Sequence, residues 1–218
     1  MKRYAVIVAG GKGLRFGAEL PKQFLQIKGR PLLFYTLEKF LGIADEIILV
    51  LPETHFEFWN DLKEKYNFHP EVKLVRGGDS RTSSVINGLN EIEGNGLVAI
   101  HDAVRPLVSR QLIEKLYSEA TIHGNSVPGI PVSESLRIID ETNGNKAVNR
   151  ANYIAIQTPQ CFDFQTIKSN YQNINGKEFS DDASVYENAG GKIHIVTGES
   201  TNIKITYKED IFFAEGLL

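Results

Sequence analysis

The residues with chemical potential begin at Ala9-Gly10-Gly11-Lys12-Gly13-Leu14-Arg15-Phe16-Gly17. Glycines directly after an apolar run let the backbone approach a ligand and turn its N–H groups toward phosphate oxygens. Arg15 lies inside this loop, and Pro21-Lys22-Gln23-Phe24 follows it. Two cations beside a glycine turn can neutralise a triphosphate and the charge that grows during phosphoryl transfer. The loop is not a dinucleotide fingerprint, because Phe16 stands where a glycine is required when counting from Gly11. Nor is it an ATPase phosphate loop, which needs Gly-Lys-Ser/Thr after four intervening residues. The competing account is a structural turn with two solvated cations.

Further candidates follow along the chain. Asp102 closes the apolar run Leu97–Ile100 after His101, and an aspartate at a strand end is suited to hold Mg²⁺ while the ion bridges phosphates. Arg105 lies three residues on, where it can meet a second substrate's phosphate or pair with Asp102. Gly77-Gly78-Asp79 precedes a helical segment, and a loop at the carboxyl end of a parallel strand is a ligand position. Ser84 and the backbone near Gly78 can bond a base or ribose; alternatively Asp79 or Ser80 simply caps the helix. Asp181-Asp182 resembles a metal pair but reads better as the start of a helix over 183–188. His101 reads as a packing or hydrogen-bonding residue. The other four histidines show no ligand or triad spacing. Cys161 reads as core packing and not as a nucleophile.

These blocks together carry a family resemblance. Ala-Gly-Gly-x-Gly-x-Arg-x-Gly with Pro21-Lys22-Gln23-Phe24 resembles the signature of sugar-phosphate nucleotidylyltransferases. It is similar, more narrowly, to the 2-C-methyl-D-erythritol 4-phosphate cytidylyltransferase family of the non-mevalonate isoprenoid pathway. The resemblance continues through Gly77-Gly78-Asp79-Ser80-Arg81-Thr82-Ser83-Ser84-Val85 and His101-Asp102-Ala103-Val104-Arg105-Pro106. It extends to Gln157-Thr158-Pro159-Gln160, Ser180-Asp181-Asp182-Ala183-Ser184 and Asn202-Ile203-Lys204-Ile205-Thr206. It implies a Rossmann-like α/β nucleotidylyltransferase fold with a protruding β-hairpin arm, and transfer of a cytidylyl group from CTP.

The resemblance also implies roles. Ala9, Gly10, Gly11, Gly78, Asp79 and Ser84 bind the nucleotide. Arg15 and Lys22 stabilise the transition state, and Arg150 and Lys204 position the incoming phosphate. Arg105, Ser135, Thr158 and Ser180 contact the polyol phosphate, and Asp102 holds Mg²⁺. Three positions depart from the family pattern. Glu134-Ser135 stands where Asp-Thr or Asp-Ser is common, Asn149 precedes Arg150 in place of an aspartate, and Ser180 replaces a threonine. The nearest rival activity is ribitol-5-phosphate cytidylyl transfer. A catalytically silent nucleotide-binding regulator is a rival of another class, and an NAD-dependent dehydrogenase is disfavoured by Phe16.

These residues need a scaffold. Runs apolar on both faces, at Tyr4–Ala9, Glu46–Leu51, Val72–Val75, Leu97–His101, Ser126–Ile130 and Ile193–Val196, suit central parallel strands. Pro31–Phe40, Phe56–Tyr66, Arg81–Asn90 and Arg110–His123 read as the helices between them, predicting a doubly wound sheet. Glu134–Arg150 breaks the rhythm, with Asn143-Gly144 as a hairpin-turn signal. This hairpin either lies on the edge of the parent sheet or projects. It is too short to make a core of its own, and the resemblance assigns it to exchange between two copies, with Arg150 completing the partner's site. Asn202–Thr206 alternates like an edge strand with Lys204 outward, whereas the resemblance turns Lys204 into the site.

Composition sets the remaining bounds. The chain has 218 residues, 42% hydrophobic and 23% charged, with 24 Lys+Arg against 27 Asp+Glu, a net charge of −3. That describes one globular domain over 1–218 with 134–150 as an arm. Weak acidity argues against bulk nucleic-acid binding. One cysteine excludes an intramolecular disulfide framework, and the composition fits a reducing cytoplasm. The apolar stretch after Lys2-Arg3 is too short for a signal peptide or a membrane span.

Overall fold

The computed structural model describes residues 1–10, 21–140 and 144–218. Gly11, Arg15 and Asn143 lie outside the described residues. In chain order the elements are β1 (Arg3–Val8), β2 (Gln26–Ile27), β3 (Arg30–Pro31), α1 (Leu32–Phe40), β4 (Glu46–Leu51), α2 (Phe56–Lys65), β5 (Lys73–Arg76), α3 (Arg81–Asn90) and β6 (Leu97–Asp102). There follow α4 (Arg110–His123), β7 (Asn125–Pro131), β8 (Arg137–Ile139), β9 (Asn145–Ala147), β10 (Ile154–Ile156), β11 (Gln160–Asp163), α5 (Phe164–Gln172), α6 (Asp182–Asn188), β12 (Ile195–Thr197) and α7 (Glu209–Leu217).

The main sheet runs β10-β7-β11-β6-β1-β4-β5, with β12 paired to β7. β5, β4, β1 and β6 are mutually parallel, as their doubly apolar runs predict. Alternate residues of β1 feed two cores. Ala5 and Ile7 pack with Phe34, Leu37 and Leu116 on one face, and Tyr4 and Val6 with Val85, Leu89 and Phe164 on the other. α3 lies against the second face so closely that a Cβ on Gly88 would meet Val6 Cγ1 at 2.6 Å and Val50 Cγ2 at 2.9 Å. No described helix is long and apolar enough to cross a membrane.

The far side of the sheet departs from the doubly wound expectation. β11 runs antiparallel between β6 and β7, and β10 runs antiparallel to β7. α5 was legible but unread: Asp163 caps it, and Phe164, Ile167 and Tyr171 line its buried stripe. α7 buries only Ala214 and has no apolar stripe to read. The hairpin does not lie on the parent sheet. β8 and β9 pair only with each other, in register Arg137↔Ala147 and Ile139↔Asn145. Asn202–Thr206 is not an edge strand either: it is an irregular segment, tied by Ile205 N donating to Val104 O at 2.9 Å.

Candidate active site

Three chain segments meet where β1, β4 and β6 end. Ala9 N donates to Val50 O at 2.9 Å, Ala103 N to Val8 O at 3.0 Å and Gly77 N to Leu51 O at 2.7 Å. The strand order reverses here, with β4 and β5 on one side of β1 and β6 on the other, which makes the crevice in which open α/β sheets take ligands. Gln23 fixes the next segment to the same edge: its buried amide donates to Ala9 O at 2.7 Å. That bond sets where Lys22, in the short helical turn Lys22–Phe24, stands relative to the end of β1.

The nucleotide-binding candidates converge. A Cβ on Gly10 would sit 3.2 Å from Ser84 Oγ, and one on Gly77 3.3 Å from the same atom. Ser84 Oγ also accepts from Gly78 N at 3.1 Å and donates to Ser80 O at 2.8 Å. Bare backbone therefore faces bare backbone across a serine hydroxyl. Ser80, and not Asp79, is the cap of α3: its hydroxyl accepts from Ser83 N while Ser83 Oγ accepts from Ser80 N.

Asp102 is the electrostatic centre. Its Oδ2 lies 2.8 Å from Lys204 Nζ and 3.8 Å from Arg105 Nε, and its Oδ1 lies 3.3 Å from Arg81 Nε. Burial alone would raise its pKa. Arg81, Lys204 and Arg105 outweigh that and hold the carboxyl well below the usual range, so it is ionised at neutral pH. Arg81 is shared with Asp182, which takes Arg81 Nη1 at 3.0 Å and Nη2 at 2.8 Å and also accepts from Tyr171 OH at 2.5 Å. Burial disfavours the Arg81 charge, but Asp182 and Asp102 more than compensate and raise its pKa.

Behind Asp102 sits Thr158, next to a cis Thr158–Pro159 bond. Its hydroxyl accepts from Asp102 N at 3.1 Å and faces His101 Nδ1 at 3.0 Å, while His101 Nε2 lies 3.2 Å from Arg105 O. The single threonine proton must then go to Nδ1, which fixes His101 as the Nε2–H tautomer. Burial pushes the His101 pKa down to about 3, so the ring is neutral and both nitrogens are engaged. His101 is a hydrogen-bonding residue, as read from the sequence. Thr158, assigned to substrate, is buried, with its hydroxyl engaged by Asp102 N and His101 Nδ1.

Lys204 reaches Asp102 through a clamped segment. Arg105 Nη1 donates to Asn202 O at 2.7 Å, Asn202 Nδ2 to Thr158 O at 2.9 Å, and Gln157 Nε2 to Glu199 O at 2.7 Å. Arg105, read as a phosphate contact or a partner of Asp102, is held by this clamp through Nη1, while its buried Nε, 3.8 Å from Asp102 Oδ2, has no hydrogen-bond partner among the described residues. Asp181 caps α6 by accepting from Ser184 N at 3.1 Å, as the helix-start reading requires. Ser135, Ser180 and Arg150 are exposed, and Arg150 Nη1 donates to Ser133 O beside the hairpin. Cys161 is fully buried, and burial raises its thiol pKa.

Arg81, Gln157 and Asn202 were not singled out in the sequence, and Asp182 was read with Asp181 only as a metal pair or a helix start. Arg81 and Asp182 stand inside motif blocks, but their pairing spans 101 residues and leaves no local signal.

This arrangement has close relatives. The family model for 2-C-methyl-D-erythritol 4-phosphate cytidylyltransferase matches residues 4–218. The chain belongs to that family. A protein of that name from Porphyromonas gingivalis is 44% identical over 218 residues, covering 100% of this chain and 98% of the relative. One from Bacteroides fragilis is 44% identical over 220 residues, covering both chains in full at 100%. The crystal structure of 4-diphosphocytidyl-2C-methyl-D-erythritol synthase from Anaerococcus prevotii superposes with a TM-score of 0.85 at 31% identity, covering 99% of this chain and 95% of that one. The cytidylyltransferase fold is thus shared along nearly the whole length of the chain.

Proposed function

We infer that the chain transfers a cytidylyl group from CTP to 2-C-methyl-D-erythritol 4-phosphate, giving the CDP-linked alcohol and pyrophosphate in the non-mevalonate isoprenoid pathway. Family membership over residues 4–218 supports the activity. The observation that carries the chemistry is the Asp102 cluster, where Arg81, Arg105 and Lys204 crowd one carboxylate at the ligand edge of the sheet. A phosphate monoester oxygen attacks the α-phosphorus, a new P–O–P link forms, and pyrophosphate leaves. The nucleophile is already anionic, so no serine, cysteine or strong base is required. Catalysis rests on aligning two polyanions and stabilising charge in the transition state.

Arg15 and Lys22 take the transition-state charge in this proposal, and Lys204 and Arg150 hold the acceptor phosphate. Ala9, Gly10, Gly11, Gly78, Asp79 and Ser84 hold the nucleotide, with Ser135 and Ser180 toward the polyol. Magnesium takes one or two carboxylates and leaves its other positions to phosphates and water. Asp102 fits that donor set as one carboxylate kept ionised by its neighbours. Asp102 would hold the ion, which would supply charge neutralisation for the phosphates.

The same proposal makes the protein a cytoplasmic homodimer. Support comes from Ile138 and Ile139 on the hairpin and Tyr153 and Ile154 beside it, all large apolar side chains left exposed. The test is pyrophosphate release across CTP, ATP and GTP with methylerythritol phosphate and ribitol phosphate as acceptors. CTP with methylerythritol phosphate should have the highest kcat/KM, because a hydrogen-bonding base pocket rejects a base that leaves its groups unpaired. Equal turnover of ATP would remove the cytidylyl assignment, faster ribitol phosphate turnover would reassign the acceptor, and CTP binding with no pyrophosphate would indicate a silent binder.

A further inference from the structure

Away from the ligand edge, three side chains that the sequence keeps far apart share one point. Glu119 and His123 are one turn apart on α4, and His194 arrives from the segment leading into β12. Glu119 Oε2 lies 3.1 Å from His194 Nε2 and 3.5 Å from His123 Nε2. The three ligand atoms all lie within 4.8 Å of one another. A tetrahedral zinc with bonds of about 2.1 Å holds neighbouring ligand atoms roughly 3.4 Å apart. The two measured edges are already near that value. The histidine rings are stacked, 3.7 Å apart and inclined by 16°. A metal lies close to the plane of each imidazole that binds it, so the rings must fan apart by side-chain rotation.

The backbone beneath them is fixed and needs no movement. Buried Asn125 accepts from His194 N at 2.8 Å through Oδ1 and donates to Lys192 O at 3.0 Å through Nδ2. Val127 N donates to His194 O at 2.9 Å. α4 ends at Gly124 with φ +77°, and its N–H closes the last turn on Ala120 O at 2.9 Å. Helix and strand segment are thus held together by contacts that do not involve the three ligand side chains. All three side chains keep solvent access, which leaves a further coordination position for water.

We propose that Glu119, His123 and His194 form a binding site for a borderline divalent metal of the zinc, cobalt or nickel type. Two imidazoles and one carboxylate suit these ions and not magnesium, which prefers an all-oxygen set. The site goes beyond cytidylyl transfer and lies at the opposite edge of the sheet from Asp102. Asn125 pairs with Phe162, which pairs with Val98 near the start of β6, whereas Asp102 ends that strand. Its effect is to cross-link α4 to the entry of β12 and so stabilise the folded chain by linkage.

The experiment titrates the chelator-stripped full-length protein with Co²⁺, read by visible absorption, and displaces it with Zn²⁺. One Co²⁺ per chain should bind with the intense absorption of a four- or five-coordinate nitrogen site. Zn²⁺ should raise the melting temperature of the parent. His123→Ala, His194→Ala and Glu119→Gln should each weaken Co²⁺ binding by at least about tenfold, on the scale of other metal-site losses. Each should keep the parent rate with CTP and Mg²⁺, which also reports that the variant is folded. Asp102→Asn should keep the Co²⁺ spectrum. Absence of the spectrum in the parent, its survival in a folded His123→Ala/His194→Ala double variant, or its loss in Asp102→Asn would overturn the proposal.

Discussion

Lys22 stands at the edge of the ligand crevice through the hold of Gln23 on Ala9 O. Lys22→Ala, and likewise Arg15→Ala, should lower kcat by roughly 10²–10³-fold, the cost of one lost charge-stabilising donor. Steady-state kinetics on folded variants decides this, and a near-parental rate would remove the residue from the mechanism. His101 makes a different demand. Its pKa is about 3 in the folded chain, against about 6.5 unfolded. The unfolded chain therefore binds more protons between those values. Stability is full above pH about 6.5 and falls on acidification toward pH 3, by about 1.4 kcal/mol per unit from this group. His101→Gln should flatten that slope in urea melts at several pH values. Asp102 has a depressed pKa, so its contribution is lost only lower, as pH falls below about 4. Sequence reading found Asp102 and Lys22 because strand ends and glycine turns are local patterns. It gave Thr158 to substrate because nothing local reveals that the hydroxyl is used twice behind Asp102.

Elements carry the site as much as residues do. α3 delivers Arg81 from its first position, and α6 delivers Asp182 from beneath. The pair bolts the two helices together under Asp102. Asp182 is fully buried, so Asp182→Asn leaves Arg81 without its main counter-charge. The expected loss is about 3–5 kcal/mol of stability, with weaker CTP binding, read from the urea midpoint and nucleotide KM. An unchanged midpoint would show that Asp102 alone suffices as partner. The helices α1 to α4 and the parallel strands were legible because period and burial agree there. β10 and β11 were not, because three- and four-residue strands carry too little pattern, whereas the hairpin that holds β8 and β9 was announced by Asn143-Gly144.

At the scale of the whole molecule, the exposed apolar hairpin predicts shared sites. An inactive Lys22→Ala chain mixed with an inactive Arg150→Ala chain should regain activity, since some heterodimers hold one site with both residues intact. No recovery despite proven subunit exchange would confine Arg150 to its own chain. The reversed strand β11 has a separate consequence, for the order in which the protein is made. β5, β4, β1 and β6 all come from the first half of the chain, so their pairings can close before the second half is made. β11 must return to β6 across the intervening α4 and β7, Thr158 comes just ahead of it, and the segments bearing Asp182 and Lys204 arrive later still. In ribosome-bound chains of increasing length, hydrogen exchange should protect the amides of Val6 and Ile100 before Gln157 N, which donates to Pro128 O at 2.8 Å. Simultaneous protection would mean one concerted step. A growing chain on the ribosome therefore forms the strand-end crevice, with Lys22 and Asp102 on it, before Asp182 and Lys204 arrive to complete the charge cluster.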